Sequence, residues 1–256
     1  MYRLLTDAMA TLQPWFRPEQ PGQLIGPHVI NTGNGTVWAD RSPEPRALLV
    51  ESAGNYALVG QPDAISPAAL APLVVGFVDA AEPFAPLLHE TFPDLRIWDR
   101  VVYVLDDHQR GRPPHNALIR RLHAGDTEQV AQLSPDLAWI ANTWGGPAGL
   151  AGSGYAWGAF VHTQLAAVAC SFFVGNLYEE VGVVTEAAYR GQGLSVACAD
   201  ALCQDIERRG KQASWSTSPD NRASIRVAEK LGFRFARDAR LYVSGIEIPT
   251  PPRPPA

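Results

Sequence analysis

Between residues 181 and 235 the hydrophobic and polar positions change period several times, and each change predicts an element. Val181-Gly182-Val183-Val184-Thr185 is an apolar run of strand length. Over 194–209, Leu194, Ala197, Ala201 and Leu202 share one helical face, and Asp205, Glu207, Arg208 and Arg209 crowd the end before Gly210, which predicts a helix with a glycine stop. Residues 212–217 alternate as a strand does. The turn cluster Ser218-Pro219-Asp220-Asn221 then caps a predicted helix over 222–231 that Gly232-Phe233 ends.

Upstream, 117–122 reads as a strand and Asp126-Thr127-Glu128-Gln129 as a capping box opening a helix. A Gly- and Trp-bearing loop over 144–154 leads into strands at 155–161 and 165–173, joined by a hairpin turn that exposes His162. Nearer the N-terminus the pattern predicts strands at 37–40, 46–51 and 55–59, helices at 67–80 and 82–90, and a strand at 95–105. Residues 106–115 are polar and proline-bearing, like a linker, and 249–255 hold five prolines, like an extended tail. The chain divides on this reading into an N-terminal α/β domain (1–115), a second domain (116–248) and a tail (249–256).

Candidate chemistry sits where strand 181–185 meets helix 194–209. Tyr189-Arg190-Gly191-Gln192-Gly193-Leu194-Ser195 places two glycines before a helix start. Glycine lets backbone close on a ligand, and the free N–H groups of a first helical turn point at negative charge. Such a turn suits a pyrophosphate. No Gly-Lys-Ser/Thr follows, so it is not a P-loop, and the first glycine of the dinucleotide fingerprint is absent.

Arg190-Gly191-Gln192-Gly193-Leu194-Ser195 resembles the Arg-x-x-Gly-x-Gly/Ala signature of the GNAT superfamily of acyl-coenzyme A transferases, with Ser195 in the last small position. Asn221 and Leu231-Gly232-Phe233 follow at that family's spacing, and Asn221-Arg222-Ala223-Ser224 after a Trp-bearing strand is similar to a branch carrying Asn-x-x-Ser. The resemblance implies an α+β fold: a central mixed, mostly antiparallel, splayed sheet flanked by helices, preceded here by a smaller α/β domain that is a degenerate relative of the same core or an unrelated unit. It implies acetyl-CoA or another acyl-CoA as cosubstrate. Backbone groups of Val183, Val184 and Thr185 would bond the pantetheine arm, with Arg190, Gly191, Gln192, Gly193, Leu194, Ser195, Asn221 and Ser224 around the rest.

Many members carry a Tyr seven residues after that Asn to protonate the departing thiolate, and this chain has Ala228. Ser224, Ser216, Ser218, a water or Tyr242 are the alternatives, and a thiol of pKa ~8.5 needs little help to leave. A base must take the proton of an attacking amine. Glu179 and Glu180 open the strand before the loop and face opposite ways. Glu180, which shares a face with Gly182 and Val184, is the first choice and Glu179 the alternate. The same resemblance also admits a sensor or scaffold that holds acyl-CoA without turning it over, or an acyl-CoA decarboxylase.

The 256 residues carry a net charge of −5, and residues 1–115 account for it with 8 basic and 13 acidic side chains. Charge of that sign argues against nucleic acid as a partner and for an amine acceptor, a small molecule or a peptide, although the pattern sets neither acceptor nor oligomeric state. Trp15, Phe16 and Trp38 are candidate acceptor-pocket aromatics. No stretch approaches ~20 apolar residues and the first residues lead into no signal-like block, so the expectation is a cytoplasmic protein without a membrane span. Cys170, Cys198 and Cys203 fit neither a zinc pattern nor a disulfide framework, and no metal site is expected.

Overall fold

The computed structural model describes residues 1–4, 6–111 and 114–251. Twelve strands form one sheet: β1 (Tyr2–Arg3), β2 (Thr36–Ala39), β3 (Ala47–Ser52), β4 (Asn55–Gly60), β5 (Gly76–Ala80), β6 (Arg96–Leu105), β7 (Ala117–Arg121), β8 (Ala156–Val161), β9 (Gln164–Val174), β10 (Tyr178–Thr185), β11 (Gln212–Thr217) and β12 (Phe233–Ser244). Their order is β1-β2-β3-β4-β5-β12-β6-β11-β10-β9-β8-β7. Read inward from either edge, the pairing is the same: three antiparallel steps, one parallel step (β4 with β5, β10 with β11), then an antiparallel partner. That last partner is exchanged. β6 pairs with β11 and β12 with β5, so the sheet runs unbroken across the boundary expected at 115/116.

Both faces of the sheet are covered. α6 (Leu194–Arg208) buries Leu194, Cys198, Leu202 and Ile206 against β8 to β11, and the opposite face of those strands packs beneath α4 (Thr127–Ala131) and α5 (Pro147–Gly152). Toward the N-terminal edge, α2 (Pro67–Leu70) and α3 (Ala85–Thr91) cover one face and α1 (Ile25–Thr32) the other. α7 (Arg222–Lys230) lies between β11 and β12 in the chain. The three cysteines are free and buried as small core fillers, their thiol pKa values raised by burial.

Three local expectations need correction. The helix expected at 67–80 ends after four residues and becomes β5, because Pro72 lacks the amide a helix requires, Gly76 takes φ 144°, and β5 finds partners on both sides. Asp126 does not cap its helix as an N-terminal acceptor. It is the third residue of a capping box opened by His123, and its carboxylate also takes a bidentate bond from Arg120 at 2.7 and 2.6 Å. The loop expected at 144–154 contains α5, which starts with Pro147 at its first position. His162 is exposed in the β8–β9 turn as expected. Part of the expected linker and the tail beyond Pro251 lie outside the described residues.

Candidate functional site

The parallel pair β10–β11 is joined only at its start, through Tyr178↔Gln212, Glu179↔Ala213 and Glu180↔Ser214. Beyond that point β10 continues along β9 and β11 continues along β6, with an irregularity between Glu180 and Val181. The two strands therefore splay, and the inner backbone edges of 181–185 and 215–217 have no strand between them. Backbone polar groups facing such a gap need partners. A cavity of about 860 Å³ opens there, lined by Glu180, Val181, Gly182, Val183, Val184 and Thr185 on one wall and by Trp215, Ser216, Thr217 and Ser218 on the other.

The glycine turn contributes to the cavity wall after Thr185. Gly191 and Gly193 have φ of 78° and 79°, a region that penalises any side chain, and a Cβ on Gly191 would meet nothing within 4 Å. Gly193 is the N-cap of α6, so the unpaired amides of its first turn are presented at this end. Arg190, Gly191 and Ser195 line the cavity; Gln192 is exposed on the outer turn, and Leu194 is buried and anchors the helix to the core. The loop is tied to its strand: Arg190 Nε donates to the Thr185 carbonyl at 3.3 Å, and the Thr185 and Ser195 hydroxyls are 2.8 Å apart.

Across the cavity, Asn221 caps α7 by accepting the Ser224 amide at Oδ1 (3.1 Å). The buried Trp215 indole donates to Ser224 Oγ at 2.9 Å. Ser224 accepts there, which leaves its own proton free to be given. Ser216 and Ser218 also line the cavity, and Ser216 Oγ is buried without a hydrogen-bond partner. Ala228 is wholly buried in the core beneath α6. Tyr242 is not at the site: it packs with the cluster under α2 and α3, on the opposite face of β12 from Leu241, which does line the cavity.

The two neighbouring carboxylates part as strand geometry demands. Glu179 is fully buried and held by Arg209 (2.9 and 2.7 Å), Lys211 (3.3 Å) and the Ser171 hydroxyl (2.5 Å). It does not line the cavity, and these two cations serve it instead of a phosphate. Glu180 does line the cavity. Its Oε1 accepts from Gln23 Nε2 at 3.5 Å and its Oε2 is buried with no partner. Burial pushes its pKa up to about 8 although the Arg100 charge opposes the shift.

Several lining groups come from the N-terminal half: Gln23, Asn55, Phe77, Trp98 and Arg100. The alternation Trp98-x-Arg100 along β6 is the signal that could have pointed to them, but a boundary after β6 assigned that strand to another module. Trp139, Phe172, Arg226 and the stretch Pro249, Thr250 and Pro251 complete the walls, so the described start of the tail is part of the cavity. Trp15 and Phe16 instead line a second cavity of about 330 Å³ beside β4 and β5, and Trp38 packs against the core under α2 and α3. Among the described residues no cluster of His, Cys, Asp and Glu is arranged to hold a metal ion, and no helix is long and apolar enough to cross a membrane.

Comparison with known proteins supplies an independent line. A family model described as GNAT acetyltransferase matches residues 21–242. An uncharacterized N-acetyltransferase in the mutA 5' region of Streptomyces virginiae is 41% identical over 198 residues, covering 76% of this chain and 84% of that protein. Among solved structures, a GCN5-related N-acetyltransferase-like protein from Streptococcus suis superposes with a TM-score of 0.68 at 20% identity, over 94% of this chain and 99% of that one. A tandem GNAT protein from the clavulanic acid biosynthesis pathway reaches 0.61 at 13% identity, over 97% and 99%.

Proposed function

The chain belongs to the GNAT acetyltransferase family, whose members use an acyl-CoA as cosubstrate, and we propose that its reaction is acetyl transfer from acetyl-CoA to an amine in the cleft between β10 and β11. The observation that carries this reading is the splay itself, an unpaired strand edge ending in a glycine turn and a helix N-terminus. The amides at 191–195 receive the pyrophosphate, with Arg190 beside them and Arg226 on the same cavity, and the free edge of Val183, Val184 and Thr185 bonds the pantetheine arm. This directs the thioester inward, toward Glu180 and Ser224.

Glu180 takes the proton of the attacking amine. A carboxyl raised to about 8 is a stronger base than an ordinary glutamate and is matched to an amine near neutral pH. Ser224, held by Trp215 as an acceptor, gives its proton to the departing thiolate in place of the absent Tyr, and we read Asn221-x-x-Ser224 as the motif of a branch without that Tyr. We assign the cytoplasm, whose reducing conditions suit three free thiols.

Calorimetry with acetyl-CoA, together with thiol release and product mass over a panel of amines, tests the reading. One site per chain is expected, and Gly193→Asp, which adds bulk and negative charge at a left-handed position, weakens affinity at least ~10-fold. Unchanged affinity in that folded variant contradicts the placement.

A further inference from the structure

The pairing registers place one row of charged side chains on the cavity face of the sheet. Along β6, Trp98 and Arg100 alternate with outward residues; Trp98 lies opposite Leu241 and Arg100 opposite Ala239 on β12, while Val102, on the same face, pairs with Ser216 of β11. Glu180 pairs with Ser214, two residues before Ser216. Arg100 and Glu180 thus flank Ser216 from the two neighbouring strands on the cavity wall.

These two groups are electrostatically coupled, yet no ion pair joins them among the described residues. Arg100 Nη2 donates to the Ser216 carbonyl at 3.0 Å, its guanidinium stacks 4.2 Å from the Trp98 ring centre, and its Nε is buried without a partner. Glu180 Oε2 and Ser216 Oγ make no hydrogen bond of good geometry, although the Ser216 hydroxyl is near enough to Glu180 to oppose the rise in its pKa. Arg100 Nε is therefore left with no acceptor, and Glu180 Oε2 and Ser216 Oγ have at most each other; buried polar groups left so poorly satisfied are rare in a folded interior and mark a place for a ligand. The other charges facing this row are Asp220, which attracts Arg100, and Arg237 and Asp79, which act on Glu180 with opposite signs.

An acceptor with only a cationic amine would meet the guanidinium; one with only an anion would give Glu180 no proton to take. A molecule carrying both satisfies both. The space around them is aromatic, with Phe77 and Trp98 at 5.2 Å and Trp139 and Phe172 at 5.3 Å between ring centres. We propose that the acceptor is an amino acid or an amine of the same class, its carboxylate bound by Arg100, its amine presented to Glu180, and an apolar side chain lying among Phe77, Trp98, Trp139 and Phe172. This rests on the acyl-transfer reading above and makes Arg100 the specificity-determining residue of that reaction.

The test uses the full chain with acetyl-CoA and phenylalanine, tyrosine and tryptophan, each beside its carboxamide and its decarboxylated amine. Thiol release gives kcat/KM for each, and calorimetry on the CoA-bound protein gives affinities. At least one free amino acid is expected to be preferred over its carboxamide and its simple amine by ~10-fold or more, the charge-assisted contact being the difference. In Arg100→Gln that ratio falls toward one, chiefly through KM, and Arg100→Lys restores part of it; an unshifted melting temperature and unchanged acetyl-CoA affinity show that both variants are folded. Equal use of acids and carboxamides by the wild type, binding of none of the amino acids, or a ratio that survives in Arg100→Gln overturns the proposal. Failure to bind acetyl-CoA at all sinks the acyl-transfer reading instead, so the two failures are distinguishable.

Discussion

At the scale of single residues, Glu180 and Glu179 show how one peptide bond separates a carboxyl that lines the cavity from one bound into the core. Strand alternation made the choice between them legible, since only one of two adjacent residues can face the cleft, but the ties that engage Glu179 come from Ser171, Arg209 and Lys211, which no local pattern connects to it. Glu180→Gln is expected to lower turnover by about 10²-fold while leaving acetyl-CoA affinity within about twofold, read by steady-state kinetics and calorimetry. The same residue has a stability signature. Its folded pKa of about 8 lies above the ordinary 4.5, so the folded state holds the proton more tightly and stability falls as pH rises from about 4.5 to about 8. Glu180→Gln therefore gains stability over the wild type across that window, reaching a plateau above pH 8; denaturant melts at pH 5 and pH 8.5 that show no such divergence would remove the burial of this carboxyl from the account.

At the scale of elements, the strand, glycine turn and helix of 178–208 were legible because each step changes the period of apolar positions and each end carries its own punctuation. β5 was not, because 67–80 is apolar up to Asp79 with no clear period, and its strand state is decided by pairing with β4 and with the distant β12. Ser224→Ala tests the unit formed by β11 and α7. Loss of the hydroxyl leaves the Trp215 indole N–H without its acceptor, costing about 1–3 kcal/mol in thermal stability, and slows transfer from acetyl-CoA. Transfer from a thioester with a more acidic thiol is expected to be slowed less, which separates a proton-donating role from a structural one.

At the scale of the whole molecule, the exchange of β6 and β12 makes the two halves one folding unit. A fragment beginning near Pro114 lacks β6 and leaves β11 and β12 without the strand between them, so it is expected to show no cooperative melt. The exchange also explains why Phe77, Trp98 and Arg100 escaped sequence reasoning as cavity-lining residues: the proline-bearing stretch at 106–115 follows a strand of the same sheet, with nothing local to distinguish it from a linker. His28 locks the halves on the other face. Its Nδ1 accepts the Val174 amide at 3.1 Å, which places the proton on Nε2 for the Thr143 carbonyl at 3.0 Å, and burial lowers its pKa to about 4. The neutral form is the one the fold holds, so its contribution is complete above the ordinary 6.5 and is lost as pH falls through 4. Wild type is expected to lose about 3 kcal/mol over that interval through this group, and His28→Gln to flatten the loss.

The most direct measurement of the central claim, that the splayed cleft carries acyl transfer with Glu180 as its base, is the pH dependence of kcat/KM for one amine acceptor in the wild type and in Glu180→Gln. The wild-type profile is expected to rise with pH to a bend near 8, and the variant to lose that bend and follow only the ionisation of the amine. Profiles that superimpose, at equal rates, contradict it.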